Sequence, residues 1–177
     1  MQSDALTLYK LIILYILNKV DFPLTNAQLT DFILEKEYTN YFNIQQALND
    51  LISSELITVA SVHHSSHYRI TDAGKETLDF FNSKISDAIK SDIMEFLRRN
   101  KYSLREEVSN IADYHEEKKN EFIVRCQVKE QGSSIIDLSL IVPTEDVAIS
   151  ICNNWRGKSQ EVYSYLMKTL LVNDSKT

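Results

Sequence analysis

Gln45, Gln46 and Asn49 fall close together in a stretch with helical spacing, and Tyr41 stands just ahead of them. An amide side chain donates and accepts at once, so Gln or Asn can take the N6 and N7 edge of adenine in a bidentate contact. The same residue types are common on any solvated helix face, so the pattern by itself leaves both readings open. No Lys or Arg lies between Tyr41 and Ser53. Contacts with phosphate, which need cations, would have to come from Lys36, from Arg69, and from His64 when protonated. Asn43 sits where a cap for this helix is expected, with Gln46 three residues on reaching back. The set expected to face a nucleic acid is therefore Lys36, Tyr41, Asn43, Gln45, Gln46, Asn49, His64 and Arg69.

Other reactive types are sparser. His63, His64 and His67 cluster in a polar turn, and imidazole is a common zinc ligand. No Cys or carboxylate is near them in sequence, so an exposed turn or a pH-dependent phosphate contact fits better, and no metal is expected. His115 precedes Glu116 and Glu117, which read as neighbours on a solvated helix pointing different ways. The chain has three isolated Gly and no Gly-rich phosphate loop. It has no metal-ligand spacing and no nucleophile motif. The expectation is a protein that is not an enzyme and has no cofactor. Cys126 and Cys152 sit in apolar patterns and read as reduced, buried thiols.

Bulk composition is that of a globular protein: 177 residues, 44% hydrophobic, 25% charged, two Pro. A net charge of −6 weighs against nucleic acid. Residues 1–75 hold five Lys/Arg against eight Asp/Glu, a net of −3. The apolar run Ala5 to Val20 is shorter than the ~20 residues of a membrane span and contains Lys10 and Asn18. It lacks a basic start and a small-residue cleavage site. A cytoplasmic location and no membrane partner are expected.

The elements that would position the amides follow in order. Asp4 to Lys19 reads as a helix that is apolar nearly all round, so it needs cover on both sides, from the C-terminal region and from a second subunit. Phe22-Pro23-Leu24 ends that helix, because Pro disfavours a helical conformation at the residue before it. Thr25-Asn26-Ala27-Gln28 is a capping box opening a second helix with Leu29, Phe32 and Ile33 inward. The third helix starts at Asn43 and turns Ile44, Ala47, Leu48 and Leu51 inward. Ile57–Val62 and 67–70 read as a hairpin. Thr71 then caps a fourth helix, with Gly74 allowing close approach.

Leu11 to Leu17, Phe42-Asn43-Ile44-Gln45-Gln46-Ala47-Leu48, Leu51 to Ile57, and Tyr68-Arg69-Ile70-Thr71-Asp72-Ala73-Gly74 together resemble bacterial winged-helix transcriptional regulators. The chain looks most like the PadR-type group, in particular a family of predicted regulators with a winged-helix N-terminal domain. Glu55 departs from the pattern, because such domains place Gly there; a left-handed Glu costs about 1 kcal/mol. The resemblance implies a winged helix-turn-helix over 1–82 and a homodimer acting on double-stranded DNA. Its third helices would enter successive major grooves about 34 Å apart. The competing reading is a winged helix used for protein contacts, without DNA.

The second half reads as α-β-β-α-α, giving an α+β chain. Residues 83–102 form a linking or dimerisation helix with Ile85, Ile89, Ile93, Phe96 and Leu97 along one stripe. Arg98, Arg99, Lys101 and Arg105 make a basic cluster expected at the C-terminal end of that helix. Ser103 opens a helix toward Lys118. Phe122–Val128 and Ile136–Val142 alternate as a hairpin around Gln131-Gly132-Ser133. Thr144 caps a helix broken at Arg156-Gly157, and a last helix runs from Ser159 to Leu171. The domain over 103–172 is expected either to sense a small-molecule effector or only to assemble dimers. Residues 173–177 are a polar tail.

Overall fold

The computed structural model describes residues 2–62, 65–131 and 133–171. Among the described residues the chain is mixed α+β, with two three-stranded antiparallel sheets. It divides into two compact units, Met1–Val108 and Ser109–Thr177.

In the first unit α1 (Gln2–Asn18) lies at the centre. Leu11, Ile12, Ile13, Leu14, Ile16 and Leu17 are all buried. Such a helix needs apolar cover all round. Within this unit it packs on α3 (Tyr41–Ser53), α4 (Asp72–Phe81) and β3 (Ser65–Ile70). The same cluster takes Ile93, Leu97, Leu104 and Val108 from α5 (Asp87–Ser109). This is the contribution from beyond residue 82 that the sequence called for, and it buries Leu11 to Leu14, Ile16 and Leu17 within one chain. The stripe Ile85, Ile89, Ile93, Phe96 and Leu97 likewise belongs to this core.

The capping box of α2 (Asn26–Glu35) forms as read: Gln28 N–H donates to Thr25 Oγ at 3.1 Å, and Thr25 N–H to Gln28 Oε1 at 3.0 Å. Gln28 also donates to Leu104 O at 3.3 Å and Glu107 Oε2 at 2.6 Å. Phe32 packs on Phe96 with the rings tilted by 41° and their centroids 4.6 Å apart. Thus α2 is held against α5 by a buried amide and a ring pair. β1 (Leu24–Thr25), β3 and β2 (Ile57–Val62) form the sheet in that order.

α2 and α3 both end in the same motif. Tyr38 N–H reaches Ile33 O and Glu37 N–H reaches Leu34 O; Leu56 N–H reaches Leu51 O and Glu55 N–H reaches Ile52 O. These are paired Schellman hydrogen bonds, which require a left-handed residue. Glu37 at φ 54 and Glu55 at φ 56 supply it. Glu55 thus makes the turn usually given to Gly. Thr71 Oγ then donates to Glu55 O and accepts from Gly74 N–H, which ties the start of α4 to this turn. A Cβ on Gly74 would lie 2.1 Å from Leu56 O, so only glycine fits.

Three expectations about element boundaries and order fail. α3 begins at Tyr41, with Asn40 as its cap; Asn40 Oδ1 accepts from Asn43 N–H at 3.0 Å. The shorter polar side chain just ahead takes the capping role that Asn43 was assigned. Next, α5 does not stop near 102. It runs through Ser103 to Ser109, because Leu104 and Val108 continue its buried stripe. Arg98, Arg99 and Arg105 are therefore interior to the helix. Arg98 and Arg99 pair with Glu95, and Arg105 with Asp21.

The third failure lies in the second unit, which is β-β-β-α rather than α-β-β-α-α. Asn110–Lys118 is strand β4, antiparallel to β5 (Glu121–Glu130), which pairs in turn with β6 (Ser133–Val142). Glu and Lys favour helix locally. A lone hairpin is marginal, however, and a third strand completes the sheet. Ala112 and Tyr114 also gain contact with the core of Val124, Cys126 and Trp155. Asn120 at φ 60 makes the tight turn. α6 (Glu145–Leu171) is one helix, uninterrupted at Gly157. Trp155 and Ser159 are buried on either side of the glycine, and that packing outweighs its cost of about 1 kcal/mol.

Candidate nucleic-acid interface

Tyr41, Phe42, Gln46, Asn49 and Ser53 form the exposed side of α3, opposite the buried Ile44, Ala47, Leu48 and Leu51. Phe42 is 81% exposed and Tyr41 51%, their rings edge-to-face at 6.3 Å. Tyr41, Gln46 and Asn49 thus present themselves as the sequence pattern suggests. Phe42 was missed. It has no place in the inward 44, 47, 48, 51 pattern, and that was the available signal.

Gln45 is turned inward. Its Oε1 accepts from Asn26 Nδ2 at 3.0 Å, and its Nε2 donates to Asn26 Oδ1 at 3.2 Å. Asn26 also donates to Tyr68 Oη and accepts from Thr30 Oγ. This node links the start of α2, the first turns of α3, and β3. Its amides are occupied by one another, so Gln45 acts as a strut. Asn43 is similarly engaged, donating from Nδ2 to Thr39 Oγ at 2.8 Å.

The cations are dispersed. Lys36 lies 3.6 Å from Asp92, which also accepts from Tyr38 Oη at 2.6 Å. Burial, and then that hydrogen bond and charge, push the Tyr38 phenol well above its usual range. Lys10 pairs with Asp50 of α3 at 2.9 Å, and Lys75 with Asp72 at 3.1 Å. Arg69 is exposed on β3, its guanidinium 3.4 Å from Asp21 O. His63 and His64 lie outside the described residues. His115 is on β4, not a helix, and lies 3.4 Å from Glu117, where the ladder shifts register between Glu116 and Lys118. His115 and Glu117 are both exposed.

In the second unit a groove of about 340 Å³ runs between α6 and the sheet, lined by Cys126, Leu138, Leu140, Val147, Ile151 and Trp155 among others. Burial, and then Cys152 nearby, push the Cys126 thiol up to about 11, which disfavours the thiolate form. Trp155 Nε1 donates to Gln127 O at 3.0 Å, which fixes the ring. On the last turns of α6, Tyr163, Met167, Leu170 and Leu171 are exposed. Among the described residues no helix is long and apolar enough to cross a membrane.

A family described as a domain of unknown function, DUF4364, matches residues 9–170, and the chain belongs to it. The match spans both units. No curated protein and no solved structure matches the chain.

Proposed function

We propose that this protein is a DNA-binding transcriptional regulator of the winged helix-turn-helix kind, acting by binding rather than catalysis. In this reading α2 and α3 are the helix-turn-helix, α3 the recognition helix, and β2–β3 the wing. The carrying observation is the outward side of α3, where Tyr41, Phe42, Gln46 and Asn49 stand exposed on a helix whose other side is anchored by α1. A rigid helix with hydrogen-bonding side chains at its N-terminal half is what major-groove reading requires. Exposed Arg69 on β3 is suited to the phosphate backbone.

The functional form would be a homodimer with a two-fold symmetric site. The apolar end of α6 supports self-association, since contiguous exposed apolar surface of this kind marks interfaces. The α6 groove falls within the size range of small-ligand sites and would suit an apolar effector.

Selection of duplexes from a random pool by purified protein tests the reading directly. Enrichment of a palindromic site is expected, with affinity falling steeply as salt rises. No enrichment, or affinity indifferent to salt, would remove it. Sedimentation of Leu170→Glu with Leu171→Glu should give half the mass of the parent protein.

The competing use is protein contact. It is favoured by the exposed Phe42 and by Lys10, Lys36 and Lys75 each lying beside a carboxylate. Failure to bind DNA, together with loss of a co-purifying partner in Phe42→Ala, would establish it.

A further inference from the structure

We infer that α3 is built to read A·T base pairs by their major-groove edges, with Gln46 and Asn49 on adenine and Phe42 against the thymine methyl; this rests on the DNA reading above. The four bases demand different chemistry in that groove. Guanine is read by Arg or Lys donating to O6 and N7, cytosine by Asp or Glu accepting from N4. Adenine is read by a Gln or Asn amide, and thymine by apolar contact with its methyl.

The exposed side of α3 offers only the last two. It carries no Lys or Arg. Its single charged residue, Asp50, is tied to Lys10 at 2.9 Å. Phe42, Gln46 and Asn49 stand at i, i+4 and i+7, on one face of the helix. Seven residues rise about 10 Å, which matches three base-pair steps of about 3.4 Å each.

The neighbouring residues hold this set in place. Tyr41 packs edge-to-face on Phe42. Gln45 is removed from competition by its reciprocal pair with Asn26, which also fixes α3 against α2. Ser53 donates to Asn49 O and so is directed to its own helix. The outcome is a narrow chemical vocabulary: two amides and an exposed pair of aromatic rings.

The test uses the purified full chain and a random duplex pool, followed by base analogues in the best selected duplex. A·T-rich half-sites are expected. Uracil in place of thymine removes only the methyl, and each contacted position should weaken binding about fourfold. Phe42→Ala should abolish that thymine–uracil difference. Inosine–cytosine pairs keep the minor groove of A·T but present the major groove of G·C, so they should weaken binding tenfold or more. Gln46→Ala and Asn49→Ala should each relax the choice of adenine over guanine about tenfold.

Selection of G·C-rich half-sites would overturn the inference while leaving DNA binding intact. So would full affinity for the uracil or inosine duplexes, which would place the readout in the minor groove or in duplex shape. Enrichment of no duplex would instead defeat the underlying DNA reading.

Discussion

Gly74 and Gly157 both lie inside helices, yet replacing each with alanine should change stability in opposite directions. Helix propensity alone favours alanine over glycine by about 1 kcal/mol in both. At Gly157 nothing lies within 4 Å of the added Cβ. Gly157→Ala should therefore gain about 0.5–1 kcal/mol, a rise of several degrees in Tm. At Gly74 the Cβ would meet Leu56 O at 2.1 Å and Ile70 Cγ1 at 2.8 Å. The obstacle is backbone, and Leu56 O already accepts from Thr71 N–H at 3.1 Å. Relief would require shifting α4 from the turn that carries Glu55, so overpacking costs about 1–3 kcal/mol or more and exceeds the propensity gain. A net loss of about 2 kcal/mol should lower Tm by roughly 8–15 °C. The single Trp, Trp155, lies in the second unit. Its fluorescence reports Gly157→Ala, while helical circular dichroism reports the first unit as well. A neutral or stabilising Gly74→Ala would refute the close approach of α4 and the turn geometry built on it.

Three further outcomes can be checked. Glu37→Gly and Glu55→Gly remove left-handed strain, and each should raise stability by about 0.5–1 kcal/mol in urea melts; destabilisation would mean these turns are not Schellman turns. Asn26→Ala leaves the Gln45 amide and Tyr68 hydroxyl unpaired and should cost about 1–3 kcal/mol, with Tyr68→Phe costing less; equal costs would contradict the node. Asp137 has its carboxyl held down to about 2, first by hydrogen bonds from Arg125 and then Gln127. A carboxylate with a depressed folded pKa stabilises above its unfolded pKa of about 3.9 and loses that contribution as pH falls toward 2. The Trp155 melting midpoint should accordingly drop across that window, and Asp137→Asn should flatten the drop; an unchanged slope in the variant would assign the acid loss to other groups.

Much of the first unit was legible because its signals are local. A capping box spans four residues, and Thr25 to Gln28 forms one whatever surrounds it. The inward residues of α3 follow from helical period alone, and Thr71 with Gly74 announces the start of α4. Composition likewise exposed the lack of a cation on α3. Distinguishing Gln45 from Gln46 needed the fold. Adjacent amides look alike in sequence, but only Gln45 meets Asn26, nineteen positions away. Asn110–Lys118 has the local preference of a helix and becomes a strand because it completes the sheet on the open edge of β5 and sets Ala112 and Tyr114 against the core of that unit. Gly157 should interrupt a helix by propensity, and the burial of Trp155 and Ser159 carries α6 through it. Local free energies of about 1 kcal/mol decide caps and turns on their own. Where a distant partner contributes more than that, the choice of strand, helix or inward face passes to the tertiary structure.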